Sequence, residues 1–298
     1  MSLVSLVEIQ KESQVREAIL DALDLIGYKF PAIRKVVIKP NLCYYWDYST
    51  GRTTDPRFML TLINLIRDQA SSNIDLSIIE SDASAMKCKY AFKMLGYEKL
   101  AKQYEVNLVN LTDDETEDAE VTVDNEVFHF RVPNTIRKAD LRINVPKLKY
   151  MSVDPKIKIT CALKNVFGCN PYPRKFEYHG ILGKVIVALN KLMKFDLCIL
   201  DGNIVFGVRT KRMGLVMASR DPVAFDAAAA EIAGVNPKSI NYLFLAQREK
   251  VGKVSYVSKG DCLEHFKAAY PKKETKDKIF HLCRNLVHAI GLGDRLGI

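Results

Sequence analysis

A chain of 298 residues, 48% hydrophobic and 27% charged, has enough apolar content for one large core or two modest ones, which excludes a disordered chain. No stretch approaches the ~18 continuous apolar residues of a membrane-spanning helix, and residues 1–10 lack the basic-then-apolar layout of a signal peptide, so a cytoplasmic protein is expected. The formal charge of +9 is matched by one window, residues 141–195, where eleven Lys or Arg face two acids and the rest of the chain balances to zero. Such a local positive field predicts an anionic partner.

In chain order, short β-branched apolar runs alternate with amphipathic segments, the pattern of an α/β domain with a mostly parallel sheet and helices on both faces. Residues 13–26 read as a helix stopped by Gly27, and 35–39 as a buried strand stopped by Pro40. Asp55 as cap and Pro56 at the first helical position open a helix over 56–70. A strand at 74–80, helical pattern over 85–104 broken near Gly96, and a strand at 106–111 follow.

Residues 105–126 hold nine acids and no base. They read as the solvated surface of a hairpin around 120–131, or as a shield keeping wrong anions from the basic window. Further strands are expected at 141–145, 197–200 and 214–218, and helices at 157–167, 180–193 and 221–233. Beyond Asn236 the pattern turns helical, over 238–248 and 262–290. The expected organisation is one α/β domain over 1–245, open to a division into two lobes near 130–140, followed by a helical C-terminal extension over 246–298.

In an open α/β sheet, ligands bind beyond the carboxyl ends of the strands, so polar residues just after strands are the first candidates. Lys39 and Asn41, then Glu80, then Lys147 and Lys149, then Asp201 all stand at such tips. Lysines and asparagines suit phosphate or carboxylate groups, whereas Glu80 and Asp201 could hold a cation or take a proton. Thr53 and Thr54 precede a helix start and could donate hydroxyls to an anion there. Lys164, Asn165 and Arg174 continue the donor set, and Asp226 stands out among alanines as a third carboxylate for a divalent metal, with Glu80 and Asp201.

Each of these residues also has an ordinary structural reading as a cap or a solvated loop, and a lone histidine such as His179 is more often structural than catalytic. As an acid or base it would need a close partner. Tyr172, Pro173, Phe176 and Tyr178 interleave with cations, so stacking on nucleic-acid bases competes with a small ligand. The seven cysteines are scattered with no CxxC pair, so neither a disulfide framework, a zinc ribbon nor an iron–sulfur cluster is expected. GxGxxG, Walker, GxSxG and HExxH motifs are absent from the sequence.

KPNL at 39–42, TTDP at 53–56, NVPKLK at 144–149, LKNVFG at 163–168, His179, Asp201 and SRDPVAFDAAAAEIAG at 219–234 together resemble the family called domain of unknown function 362 over about residues 33–245. The resemblance implies no assigned activity. Many members of that family carry a ferredoxin-like cysteine cluster, which this sequence lacks. After Asp201, where similar sequences look rich in glycine and acids, this one reads NIVFGVRTKRMG, whose Arg209, Lys211 and Arg212 could add an anion contact.

The sequence therefore predicts a binder, with transformation as an open second step, of a small phosphorylated or carboxylated molecule. The set expected to hold it is Lys39, Asn41, Thr53, Thr54, Lys147, Lys149, Lys164, Asn165 and Arg174. Glu80, His179 and Asp201 are the candidates for catalysis. The alternative is an RNA- or DNA-binding protein using the 141–195 window as an electrostatic track.

Overall fold

A computed structural model describes residues 1–42, 44–69, 74–150 and 157–272. The chain begins with β1 (Ser2–Glu8) and α1 (Val15–Leu25), then alternates β2 (Lys35–Pro40), α2 (Pro56–Gln69), β3 (Asp75–Glu80), α3 (Cys88–Met94), α4 (Tyr97–Gln103) and β4 (Asn107–Asn110). An antiparallel hairpin, β5 (Thr116–Val123) with β6 (Glu126–Pro133), and the short α5 (Asn134–Arg137) lead to β7 (Leu141–Val145). The segment after β7 is irregular, with β8 (Lys149–Tyr150), β9 (Ile159–Thr160) and α6 (Ala162–Asn165), before α7 (Leu182–Leu192). The chain continues through β10 (Leu197–Phe206), β11 (Thr210–Ser219), α8 (Pro222–Ile232), α9 (Asn241–Arg248), β12 (Tyr256–Gly260) and α10 (Leu263–Ala269).

The main sheet runs β12-β1-β11-β10-β7-β2-β3-β4. Neighbours from β10 to β4 are parallel, β11 is antiparallel to both β1 and β10, and β12 lies parallel to β1. Alternate strand residues feed two cores. Val36, Ile38, Ile78, Ile143 and Val216 pack under α1 to α4, while Val37, Ile79, Leu200 and Met217 pack under α6 to α10 and the hairpin. The fold is thus α/β, a mostly parallel sheet with helices on both faces and helices in its C-terminal part.

The Asp-Pro pairs start helices as expected. The Asp55 carboxylate accepts from the Arg57 N–H at 2.8 Å, and Asp221 accepts from the N–H groups of Val223 (2.9 Å) and Ala224 (3.1 Å). Gly96 takes φ +84° between α3 and α4, at the break expected there, because a positive φ ends the first helix at little cost only for glycine. Two edge strands differ from the sequence reading. β12 forms the edge by pairing with β1, and β1 pairs on its other side with β11, partners more than 200 residues distant from β1, so nothing local announces them. Likewise 157–167 is not one helix: β9 occupies its start, and α6 tightens into a 3-10 turn over Val166–Cys169.

From β2 the chain moves outward through β3 to β4, then crosses back to place β7 on the other side of β2. The carboxyl ends of β2 and β7 therefore flank a topological switch point, the usual ligand crevice of such sheets. Lys39 stands opposite Asn144 in the β2–β7 register.

Candidate functional site: a cationic cavity at the strand ends

Three asparagines tie the two tips together. The Asn165 amide nitrogen lies 2.7 Å from Asn144 Oδ1 and 3.2 Å from the Lys39 carbonyl, while its oxygen accepts from Asn41 Nδ2 at 2.8 Å. Asn41 Oδ1 accepts in turn from Lys149 Nζ at 2.7 Å, and Asn144 Nδ2 donates to the Ala162 carbonyl at 2.9 Å. Buried amides with every hydrogen bond made hold a fixed geometry, so the chain of contacts locks α6 and β8 onto the ends of β2 and β7.

Next to it Lys39 and Glu80, both buried, form an ion pair of 2.7 Å. Lys39 Nζ also donates to the Pro40 carbonyl at 2.6 Å, and Glu80 Oε1 accepts the Ser81 N–H at 3.0 Å. Gly168 presses on this pair: a Cβ there would meet Glu80 Oε1 at 2.8 Å and Lys39 Nζ at 2.9 Å. Lys175, also buried, donates to Ser81 Oγ, which donates onward to the Gly168 and Asn170 carbonyls. Burial pushes the Lys175 ammonium down to about 8; Glu80 resists that shift and Lys39 adds to it.

These groups line a cavity of about 560 Å³, within the ordinary size range of small-molecule sites. Among the described residues, Lys39, Arg52, Lys149, Lys164 and Lys175 contribute five cations to its wall, against the single carboxylate of Glu80. The mouth is aromatic. The Arg52 guanidinium sits between the Trp46 ring (4.2 Å to the centroid) and the Phe206 ring (3.8 Å), and Tyr44 leans on Trp46 with centroids 5.1 Å apart. Lys164 Nζ lies 5.2 Å from the Phe167 ring centre, and Phe176 is exposed at the edge.

Of the residues expected from the sequence, Lys39, Asn41, Glu80, Lys149, Lys164, Asn165 and His179 line this cavity. His179 is exposed at the rim, with no carboxylate paired to it among the described residues. The other expected residues lie elsewhere. Lys147 and Asp201 form their own buried ion pair of 3.1 Å, and Asp201 accepts the Asp55 N–H at 2.9 Å, anchoring the start of α2. The Asp55 carboxylate already fills that helix terminus, so no anion cradle is left there. Thr54 donates to the Val145 carbonyl at 3.0 Å and accepts the Asn41 N–H at 2.8 Å, a structural cross-link, and Thr53 is buried with no Oγ1 partner among the described residues. Arg174 projects outward to Glu177 at 3.2 Å.

The three carboxylates considered for a metal do not meet. Glu80 belongs to Lys39, Asp201 to Lys147, and Asp226 lies beneath α6, accepting the N–H groups of Ala162 (2.7 Å) and Leu163 (3.2 Å). Burial pushes the Asp226 carboxyl up to about 7 despite those bonds. Among the described residues no three His, Cys, Asp or Glu side chains could hold a metal ion. Cys169, beside the cavity, is buried, and Cys43 lies outside the described residues.

The basic window is divided rather than continuous. On α7, Lys184 pairs with Asp124 (3.4 Å) and with Glu126, and Lys191 pairs with Glu249 at 2.6 Å. Acids at the hairpin's tip thus neutralise Lys184 directly, and Glu249 after α9 neutralises Lys191. Among the cavity residues not singled out from the sequence as site residues are Arg52, Lys175, Tyr44, Trp46 and Phe206. Arg52 and Lys175 were visible only as charges, and nothing local signals that Lys175 is buried while its neighbour Phe176 is exposed.

With this geometry in hand, the family can be assigned. The sequence model of the family described as domain of unknown function (DUF362) matches residues 36–231, about two-thirds of the chain and every strand that forms the cavity. The chain belongs to the DUF362 family. It is also similar to the thylakoid-associated protein sll1697 of Synechocystis, with 31% identity over 137 residues; the match covers 42% of this chain and 41% of that relative. Among solved structures, the lactate racemase apoprotein of Thermoanaerobacterium thermosaccharolyticum aligns over 79% of this chain and 58% of its own, at 10% identity and a TM-score of 0.46, a likeness on which no argument rests. No helix among the described residues is long and apolar enough to cross a membrane.

Proposed function

We propose that this DUF362 protein binds a small molecule carrying a phosphate or carboxylate group, in the cavity at the carboxyl ends of β2, β3 and β7, and acts in the cytoplasm. One observation carries the reading: among the described residues, five cationic side chains and one carboxylate surround a concave space of about 560 Å³. Cations gathered in a partly dry hollow attract an anion far more strongly than the same charges in water. The aromatic mouth formed by Trp46, Phe206 and Tyr44 suits a guest with an apolar or planar part beside its charged group. The nucleic-acid reading loses support because Lys184 and Lys191 spend their charge on neighbouring acids.

Trp46 is the sole tryptophan of the chain and stands at the cavity mouth, so its fluorescence reports occupancy. Titration with a panel of phosphorylated and carboxylated metabolites should give saturable changes. The affinity should fall less than about tenfold between 50 and 200 mM salt, whereas a protein gripping many nucleic-acid phosphates loses roughly a thousandfold or more over that range. A steep salt dependence with a single-stranded oligonucleotide, and no response to any small anion, would overturn the proposal.

A further inference from the structure

We infer that Lys175 is an amine nucleophile, and that the anionic molecule held in the cavity carries an aldehyde or ketone carbonyl with which this amine forms an imine. The inference rests on the anion-binding reading and adds a chemistry to it. Lysines are seldom fully buried unless a carboxylate neutralises them. Lys175 is only 6% exposed, and among the described residues no carboxylate lies within ion-pair distance of it. Its hydrogen-bond partner is neutral, the Ser81 hydroxyl.

Glu80, the one acid on the cavity wall among the described residues, is already engaged by Lys39 at 2.7 Å and by the Ser81 N–H at 3.0 Å. The charged and titratable groups that face Lys175 are Lys39 from β2, Glu80 from β3, Cys88 from α3 and Cys169 from the turn after α6. Burial pushes both thiols up, so they stay neutral near physiological pH and supply no counter-charge. A lysine dried by its surroundings and set beside a second cation is a standard way of activating an amine. Lys39 cannot share the role, because its Nζ is already engaged by Glu80 at 2.7 Å and by the Pro40 carbonyl at 2.6 Å.

The magnitude separates Lys175 from the rest of the chain. With its ammonium brought down to about 8, roughly a quarter of the side chain is free amine at about pH 7.5, against about 0.1% for an ordinary surface lysine. That is an advantage of the order of two hundredfold in the reactive form. In the reaction the amine lone pair adds to the carbonyl carbon, and the carbonyl oxygen takes up protons and leaves as water. The two amine hydrogens are balanced in that water, a C=N bond replaces C=O, and no oxidant or reductant is required. Lys149, Lys164 and Arg52 on the same wall would hold the ligand's anionic group while the carbonyl meets Lys175.

The test uses the full chain and two probes. Pyridoxal 5′-phosphate is an anionic aromatic aldehyde, and pyridoxine 5′-phosphate is its alcohol counterpart, which binds without reacting. Brief exposure to the aldehyde, reduction with borohydride and peptide mapping should find the reduced adduct on Lys175 at least about tenfold ahead of exposed Lys89 and Lys93. Labelling should rise with a midpoint near 8 and be suppressed by pyridoxine 5′-phosphate, which should itself quench or shift Trp46 emission saturably. Lys175→Arg should abolish that adduct; should the variant fail to fold, the wild-type map still decides. Even labelling of exposed lysines alongside saturable binding of the alcohol overturns the imine and leaves the anion site standing. Labelling of Lys175 that the alcohol neither suppresses nor accompanies with binding overturns the anionic-carbonyl ligand, and the loss of both signals overturns both readings.

Discussion

Replacing Asp201 by Asn isolates the worth of the buried pair with Lys147. The two side chains are each about 1% exposed and 3.1 Å apart. Their attraction is roughly 5 kcal/mol at an effective dielectric constant of about 20. The amide retains an oxygen to accept the Asp55 N–H, now made at 2.9 Å, so the substitution removes charge and little else. Lys147 would be left as an uncompensated buried cation, a situation that typically costs 3–5 kcal/mol. For a chain of 298 residues the unfolding entropy near 60 °C is about 0.6 kcal/mol per degree, so Tm should fall by about 5–8 °C. The double variant Lys147→Met/Asp201→Asn removes both charges and should recover most of that loss, giving a coupling energy of at least about 2 kcal/mol in urea unfolding. Because neither residue lines the cavity, folded Asp201→Asn protein should bind anions as wild type does. A single variant costing under about 1 kcal/mol, or a double variant losing the sum of the singles, would refute the reasoning, as would loss of binding in folded Asp201→Asn.

Two further substitutions probe the walls of the cavity. Gly168→Ala forces a methyl against Glu80 Oε1 and Lys39 Nζ at under 3 Å; overpacking of this kind costs about 1–3 kcal/mol, and the melting temperature should fall while anion affinity drops, whereas an unchanged melt would show that the pair gives way freely. Asp226→Asn addresses pH. The folded-state carboxyl lies above its unfolded value, at about 7 against about 4, so the native state holds the extra proton between those limits. This group therefore favours folding at the acid end and loses that contribution, of the order of a few kcal/mol, as pH rises to about 7. The difference in unfolding free energy between wild type and Asp226→Asn should track pH over that window, and parallel profiles would contradict the assignment.

Much of the site's outline was readable without coordinates. Strand tips rich in lysine and asparagine, at 39–41, 80 and 144–149, follow from the rule that parallel strands end on one side of the sheet. What stayed hidden was the use made of each tip. Lys147 and Lys149 are two residues apart, yet the first is turned into a pair with Asp201 and the second reaches Asn41 on the cavity wall. Strict alternation would send residues two apart to the same side, but 146–148 form an irregular link between β7 and β8, and the sequence does not say how that link turns each lysine. Thr54, legible as an anion donor, is consumed by contacts to Val145 and Asn41, and Asp55 fills the helix start as the cap it was read to be.

By itself the sequence determined the class of fold, the two Asp-Pro helix starts and the presence of surplus positive charge, because periodicity, capping and composition are local properties. Tertiary structure alone decided that Lys175 is buried beside Lys39, that Arg52 lies between Trp46 and Phe206, that α7 lysines are answered by Asp124 and Glu249, and that β1 and β12 close the sheet. Burial and counter-charge belong to pairs of segments brought together by folding, so residues far apart along the chain set the chemistry of a side chain whose own neighbours reveal none of it.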